Sequence, residues 1–406
     1  MSKWRYGLQF LVKRPIVVLS ILAVMVLINI LVITAGRGLI TSYEGRAQFA
    51  NLQQKGIYTL NPDPSTDMSA INDDPLVVDE VVNELIAKKD FAMSVGMELP
   101  RGTKKLPGGT RVQYVNEGYL DLVPLDLVSG TDAYYTDKFA PGSEIPVIVG
   151  YGLESSFPFG TTWEVVDPAT GKKVAYKVTG ILKKDYSVSN LYSLDSKIYH
   201  NHSVVVPVTD DFLSVASTDF KVNALFETIL LGETSDSAQE FARFVTKRTN
   251  MKMNVLTQQE NVQDFYEHLW SALRAISGIV FICLLLLVPI VLWMSSQFVK
   301  LTIKAITINL LVGMSYRQLD RLILSGFMVI SVVSVIFTAL YLIVGRMGNR
   351  TDPSSDLYTY GIFGLLPMDW IALLVATGFN LLVSIALCSL VSFRVRRVPI
   401  SIGVLS

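Results

Sequence analysis

Cysteine, histidine and charge are all scarce in this chain of 406 residues. It has two cysteines, Cys283 and Cys388, three histidines, and only 17% charged residues. Neither cysteine lies in the polar middle of the chain, so no disulfide framework is expected there. The phosphate-loop pattern G-x-x-x-x-G-K-[ST] is missing, which excludes ATP hydrolysis by that route. H-E-x-x-H and C-x-x-C are missing as well. The formal net charge is zero, a figure that hides an uneven distribution and by itself says nothing about nucleic acid; no nucleic-acid partner is expected.

Charge is missing altogether from four stretches: Pro15 to Gly36, Ala275 to Val299, Leu322 to Gly345 and Trp370 to Phe393. Each is long enough, at about 33 Å for 22 helical residues, to cross a hydrocarbon core of about 30 Å. A mean hydropathy of +0.42 agrees with a membrane protein. The first stretch exceeds the apolar region of a signal peptide, and no small-x-small cleavage pattern follows it, so it is read as an uncleaved anchor. With no ionisable residue inside any span, a proton relay or ion pathway is disfavoured.

What charge there is sorts by side. Residues 1–14 hold four basic and no acidic side chains, 300–321 hold Lys300, Lys304, Arg317 and Arg321 against Asp320, and the tail holds Arg394, Arg396 and Arg397. These segments should be cytoplasmic by the positive-inside rule. Segment 37–274 carries 22 basic and 31 acidic residues, a net of 22 − 31 = −9, and should face outside. The expected layout is a cytoplasmic segment 1–14, helix 15–36, extracytoplasmic domain 37–274, helix 275–299, cytoplasmic segment 300–321, helix 322–345, outer loop 346–369, helix 370–393 and cytoplasmic tail 394–406. The fold class is an α-helical membrane protein with four transmembrane helices and a large extracytoplasmic α+β domain between the first two.

Within that domain, "DEVVNELIAKKDF" (79–91) has apolar residues at helical spacing, and "FAMSVGMEL" reads as a strand. A strand is expected over 224–232, a helix over 235–249 capped by Ser235 with Phe241, Phe244 and Val245 buried, and a strand over 251–257. "IPVIVGYG" (145–152) reads as a short buried strand, and 162–182 as a hairpin turning at Asp167–Gly171. The outer parts, about 58–115 and 222–258, are expected to form one α+β unit around a β-rich insert of about 116–221. His200 and His202 in "IYHNHS" read as surface imidazoles, and Asp73-Asp74 and Asp210-Asp211 as solvated turn residues, the second pair also suiting a helix start. "RGTKKLPGGT" (101–110) reads as a mobile surface loop. No catalytic, cofactor-binding or metal-ligating constellation emerges.

The stretch "KAITINLLVGMSYRQLDRLIL" (304–324) is too apolar for a solvent loop and too charged for lipid. Ser315 and Gln318 fit a capping box, Met314 and Leu319 its hydrophobic staple, and Gly313 the left-handed residue that ends a preceding helix. A second helix should begin near Tyr316, while the arm 301–312 reads equally as a strand or a buried helix. Such a segment either packs on its own spans or is covered by a partner.

"PVIVGYGL" followed by "YKVTGIL", the turn "LLVGMSYRQLDRLIL", and the tail "RRVPISIGVL" resemble the MacB/FtsX-type permeases, the membrane subunits of type VII ABC transporters. The likeness of layout extends over nearly the whole chain. A departure is Lys304-Ala305-Ile306-Thr307, where the family often has Arg-Glu-Ile-Gly. The resemblance implies a non-catalytic permease in a bacterial cell membrane, paired with a second permease chain. A separate cytoplasmic ABC ATPase dimer, carrying the ATP and Mg that this chain does not bind, would sit beneath it. It implies ATPase coupling through Lys304, Ile308, Leu310, Leu311, Gly313, Met314, Ser315 and Arg317, and movement of the outer domain to export or extract a peptide, lipoprotein, drug or other hydrophobic cargo, with an extracytoplasmic adaptor in some members. A signalling permease that activates an outside enzyme, and a membrane-anchored sensor outside the ABC class, are the alternatives.

Overall fold

A computed structural model describes residues 15–99, 106, 110–131, 144–226, 228–311, 313–352 and 355–396. Side chains of 294–312 lie outside the described set, as does nearly all of the expected surface loop 101–110. Two compact units are present, one of residues 1–40, 269–345 and 365–406, the other of 41–268 and 346–364.

Among the described residues, four helices are long and apolar enough to cross a membrane. They are α1 (Pro15–Gln48), α7 (Gln258–Leu311), α8 (Tyr316–Asn349) and α9 (Pro367–Arg396). Ile21, Met25 and Ile28 of α1 form a buried apolar seam with Leu287 and Val291 of α7, Phe327 and Ile330 of α8, and Leu387 and Val391 of α9. Polar contacts occur where side chains face one another in this interior. Asn29 donates to the hydroxyls of Ser334 and Thr338, 3.3 Å each, and Asn380 donates to Ser334 at 3.1 Å. Arg37 pairs with buried Asp369 at 3.0 Å, and the other oxygen of Asp369 accepts the Leu366 amide at 2.9 Å, capping α9.

The second unit is built on one sheet. In order of sequence its strands are β1 (Tyr58–Pro62), β2 (Phe91–Glu98), β3 (Arg111–Val115), β4 (Leu127–Gly130), β5 (Glu144–Val149), β6 (Thr162–Val166), β7 (Lys173–Leu182), β10 (Val204–Pro207), β11 (Thr228–Leu230) and β12 (Met253–Thr257). The spatial order is β12-β1-β11-β2-β3-β10-β5-β7-β4, with β6 also on β7. Strand β2 joins the two halves: residues 91–93 pair with β11, and 94–98 pair with β3. A separate hairpin, β8 (Ser187–Ser189) with β9 (Lys197–Tyr199), lies off this sheet.

Helices α2 (Pro75–Lys88), α3 (Glu117–Leu122), α4 (Asp210–Val215), α5 (Thr218–Phe226) and α6 (Ser235–Thr249) complete the unit. Asp74 caps α2 by accepting from the Leu76 amide at 2.9 Å, and Pro75 fills the first turn, where its missing N–H costs nothing. That pair of aspartates is therefore not merely a solvated turn. The cap of α6 is Thr234 rather than Ser235, because Thr234 holds extended φ/ψ and its hydroxyl accepts from Ser237. The expected strand over 224–232 is also corrected. Residues 224–226 end α5, whose buried Phe220, Ala224 and Leu225 join the domain core, and only Thr228–Leu230 pair as a strand.

The hairpin β6–β7 turns through 167–172 with Gly171 at φ +65°. Asp167 is fully buried at this turn. Its carboxylate accepts from the hydroxyls of Tyr114 (2.8 Å) and Tyr176 (2.5 Å) and from the Thr170 amide and hydroxyl. Burial, reinforced by the carboxylate, pushes both phenols well above their ordinary pKa, so they remain donors.

Residues 355–360, between α8 and α9, fold onto this unit. The carbonyl of Asp356 accepts the Tyr199 amide (2.7 Å), that of Tyr358 accepts Asn201 (2.8 Å), and the Tyr360 amide donates to Asp185 (2.7 Å).

Candidate functional site

The turn after α7 has the geometry its sequence writes. The backbone of 301–311 is helical, which resolves the ambiguity of that arm. Gly313 sits at φ +105°, outside the range that residues with a Cβ adopt readily. The Ser315 amide donates to Gln318 Oε1 at 3.1 Å, and the Gln318 amide donates to Ser315 Oγ at 3.3 Å, a reciprocal capping box. Met314 packs against the cluster that contains buried Leu319, closing the staple. Helix α8 then begins at Tyr316.

Of the candidate coupling residues, Gly313, Met314, Ser315 and Arg317 thus stand together at one turn. Lys304, Ile308, Leu310 and Leu311 lie on the last turns of α7, with side chains outside the described residues. Arg317 is exposed. One contact was not legible beforehand. Asp320, in the first turns of α8, forms an ion pair with Arg396 at the end of α9, and the Arg396 guanidinium lies 5.8 Å from the Tyr316 ring centre. Opposite charges on two segments 76 residues apart carry no local signal.

The reading of His200 and His202 as surface imidazoles is overturned. His200 is only 4% exposed, and desolvation, with the nearby Arg111 charge, lowers its pKa to about 3. His202 is stacked on Tyr360 and meets Tyr358 edge-on, and burial lowers its pKa as well. The Tyr360 hydroxyl, its pKa raised to about 12 chiefly by burial, lies 3.0 Å from His202 Nε2. His202 is covered by Tyr358 and Tyr360 of the docked segment 355–360, and His200 packs against Tyr186 on the lining of a cavity; sequence spacing reveals neither. Among the described residues no three His, Cys, Asp or Glu side chains converge as a metal site would require.

No family model and no curated relative matches this chain. Among solved structures it is similar to the extracellular domain of the noncanonic ABC-type transporter YknZ from Gram-positive bacteria, with 17% identity over 49% of this chain and 98% of that one and a TM-score of 0.30. It is also similar to the periplasmic region of MacB from Actinobacillus actinomycetemcomitans, with 12% identity over 52% of this chain and 93% of that one and a TM-score of 0.33. The chain itself is a multi-pass membrane protein with a mixed α/β domain between its first and second spans.

Proposed function

We propose that this chain is the permease subunit of an ABC transporter of the MacB/FtsX type. Its termini and the turn at Gly313 face the cytoplasm, and residues 41–268 face outside. A separate ATPase dimer binds at the turn, and its cycle moves α7. The second permease chain completes the complex, and the moved domain exports or extracts a hydrophobic cargo such as a peptide, lipoprotein or drug.

The observation that carries this reading is the pairing of one uninterrupted helix with one rigid turn. Helix α7 runs from Gln258, immediately after strand β12, to Leu311, which is 54 residues. A straight helix of that length spans about 80 Å, more than twice a hydrocarbon core. Pro289 removes one backbone donor within it but does not end it. A helix that leaves a folded domain without a linker and finishes in a capped, staple-locked turn is suited to transmit displacement, because little of a push is lost in flexible chain.

The test uses purified full-length protein. Alone, it should show background ATP turnover; with a partner ABC ATPase that co-purifies with it, turnover should rise above that of the ATPase alone. Leu310→Asp, at the end of α7, should reach the membrane yet lose co-purification and stimulation. Turnover by the pure chain, or full stimulation in Leu310→Asp, would refute the assignment.

A further inference from the structure

The hairpin β8–β9 roofs a cavity on the face of strands β2, β3 and β10. Its volume is about 130 Å³. The roof is firmly held. The Gln48 side chain at the end of α1 donates to the Ser187 carbonyl and accepts the Ser189 amide, both at 3.0 Å. Asn261 at the start of α7 donates to the Leu191 carbonyl at 2.7 Å, and the Tyr192 hydroxyl donates to the Leu60 carbonyl at 2.9 Å. A cavity under a roof tied at four points is a built feature rather than a packing gap beneath a frayed loop.

The lining combines apolar Phe49, Val115, Leu191 and Ile198 with polar Ser94, Arg111, Gln113 and His200. Arg111 is the one charged residue among those that line it. Among the lining residues, His200 and Ser189, 4% and 3% exposed, each carry a buried polar atom without a hydrogen-bond partner, Nδ1 and Oγ. Leaving such groups unpaired costs about 1–3 kcal/mol each, so the site is poised to gain when something polar arrives. An apolar cavity of about 150 Å³ is known to admit a benzene-sized guest, which sets the scale at roughly six to eight heavy atoms.

We propose that this cavity binds a small organic carboxylate with a branched apolar body, the carboxylate on Arg111 and the His200–Ser189 edge, the body against Phe49, Leu191 and Ile198. The charge argument is direct: a buried carboxylate needs a cation and donors, and the lining supplies both, with no acid among the lining residues themselves. Arg111 is already engaged on one side. Its Nη1 lies 2.8 Å from Asp356 and its Nε donates to Gln113 at 3.0 Å. Asp356 is therefore a competitor for the same guanidinium, and it belongs to the segment between α8 and α9. Occupancy of the cavity and the hold of that segment on Arg111 oppose one another.

The test is calorimetric titration of the full chain in detergent with 4-methylpentanoate and with its neutral isostere 4-methylpentanamide. The carboxylate should bind saturably and the amide at least about tenfold more weakly. Arg111→Met and Ser189→Val should each weaken the carboxylate by about tenfold, and Asp356→Asn should tighten it by removing the competing charge. Ile198→Trp, which fills the cavity from the roof, should abolish binding while the thermal midpoint stays near wild type. Absence of saturable binding up to about 10 mM, equal binding of amide and acid, or unchanged affinity in Asp356→Asn would each overturn the proposal. The readout needs no ATPase, so its failure is separable from failure of the permease assignment.

Discussion

Replacing Gly313 by valine tests the proposed coupling turn at its most constrained point. Gly313 sits at φ +105°, and a Cβ built there meets nothing within 4 Å, so the cost is confined to the local backbone and does not include a clash elsewhere. Holding a residue with a Cβ in a sparsely populated region costs about 1–3 kcal/mol, and a β-branched one lies at the upper end. At about 1.4 kcal/mol per factor of ten, the turn loses between roughly fivefold and a hundredfold of its population. Ser315→Ala removes one of the two capping-box bonds and costs about 1 kcal/mol, or about fivefold. Gly313→Asn should fall between wild type and valine, because asparagine tolerates positive φ better than other residues. The assay is ATP turnover of the partner ATPase as a function of permease concentration, with membrane level and the thermal midpoint of each variant as controls. Stimulation should fall in the order wild type, Gly313→Asn, Gly313→Val, with Ser315→Ala mildly reduced. Wild-type stimulation in Gly313→Val, or a larger loss in Ser315→Ala than in Gly313→Val, would refute the reasoning that the turn's conformation is what the ATPase reads.

In a background without Cys283 and Cys388, Thr170→Cys should react with an impermeant maleimide on intact cells and Ser315→Cys should not; the reverse pattern inverts the topology. Asp167→Ala leaves the hydroxyls of Tyr114 and Tyr176 without their shared acceptor. It should cost the outer domain about 2–5 kcal/mol in denaturant unfolding, and a loss below about 1 kcal/mol would show that the carboxylate is not the hub of that turn. His200 binds a proton more readily unfolded than folded, since its folded pKa is lowered to about 3. Its contribution is therefore complete above about pH 6.5 and lost as pH falls toward 3, with a slope of at most about 1.4 kcal/mol per pH unit, and His200→Phe should flatten this part of the pH–stability curve.

Local chemistry made some elements legible and long-range contact hid others. The capping box at Ser315 and Gln318 could be read because every participant lies within six residues of Gly313. The hairpin at 162–182 was readable for the same reason: alternation on both arms and a glycine at the turn. His202 reads as a surface residue in sequence because Tyr360, whose hydroxyl lies beside its ring nitrogen, is 158 residues away, and His200 does so because its ring partner Tyr186 is in a separate loop. Distance in sequence also hid the Arg111–Asp356 pair. Residues 224–226 were misread for a subtler reason. An apolar run such as "ALFETILLG" suits a buried helix end or a buried strand equally, and the break falls within the run itself, between Phe226 and Thr228.

The polar contacts of the membrane unit also bear on the role proposed for α7. Its buried hydrogen bonds join Asn29 of α1 to Ser334 and Thr338 of α8, and Asn380 of α9 to the same Ser334. Arg37 of α1 is paired to Asp369 of α9, and Asp320 of α8 to Arg396 of α9. Three helices are thereby pinned to one another at several depths. Each interhelical hydrogen bond in a bilayer is worth only about 0.6 kcal/mol, yet each also fixes register, since sliding by one turn would strand a polar group in hydrocarbon. None of these bonds comes from α7. Its described contribution to the interior is apolar, from Cys283, Leu287 and Val291, and its described stretch is the least buried of the four spans. Apolar contacts with neighbours and with lipid tails are nearly interchangeable, so the described side chains of α7, which end at Trp293, fix its register less than the polar pairs fix the other three spans. It is also the helix that begins at β12 and ends at the Gly313 turn. Among the described residues, the span without a polar tie to its neighbours is also the one that runs from β12 toward the Gly313 turn, which is why the proposed coupling is placed on α7 and its turn rather than on the three helices around it.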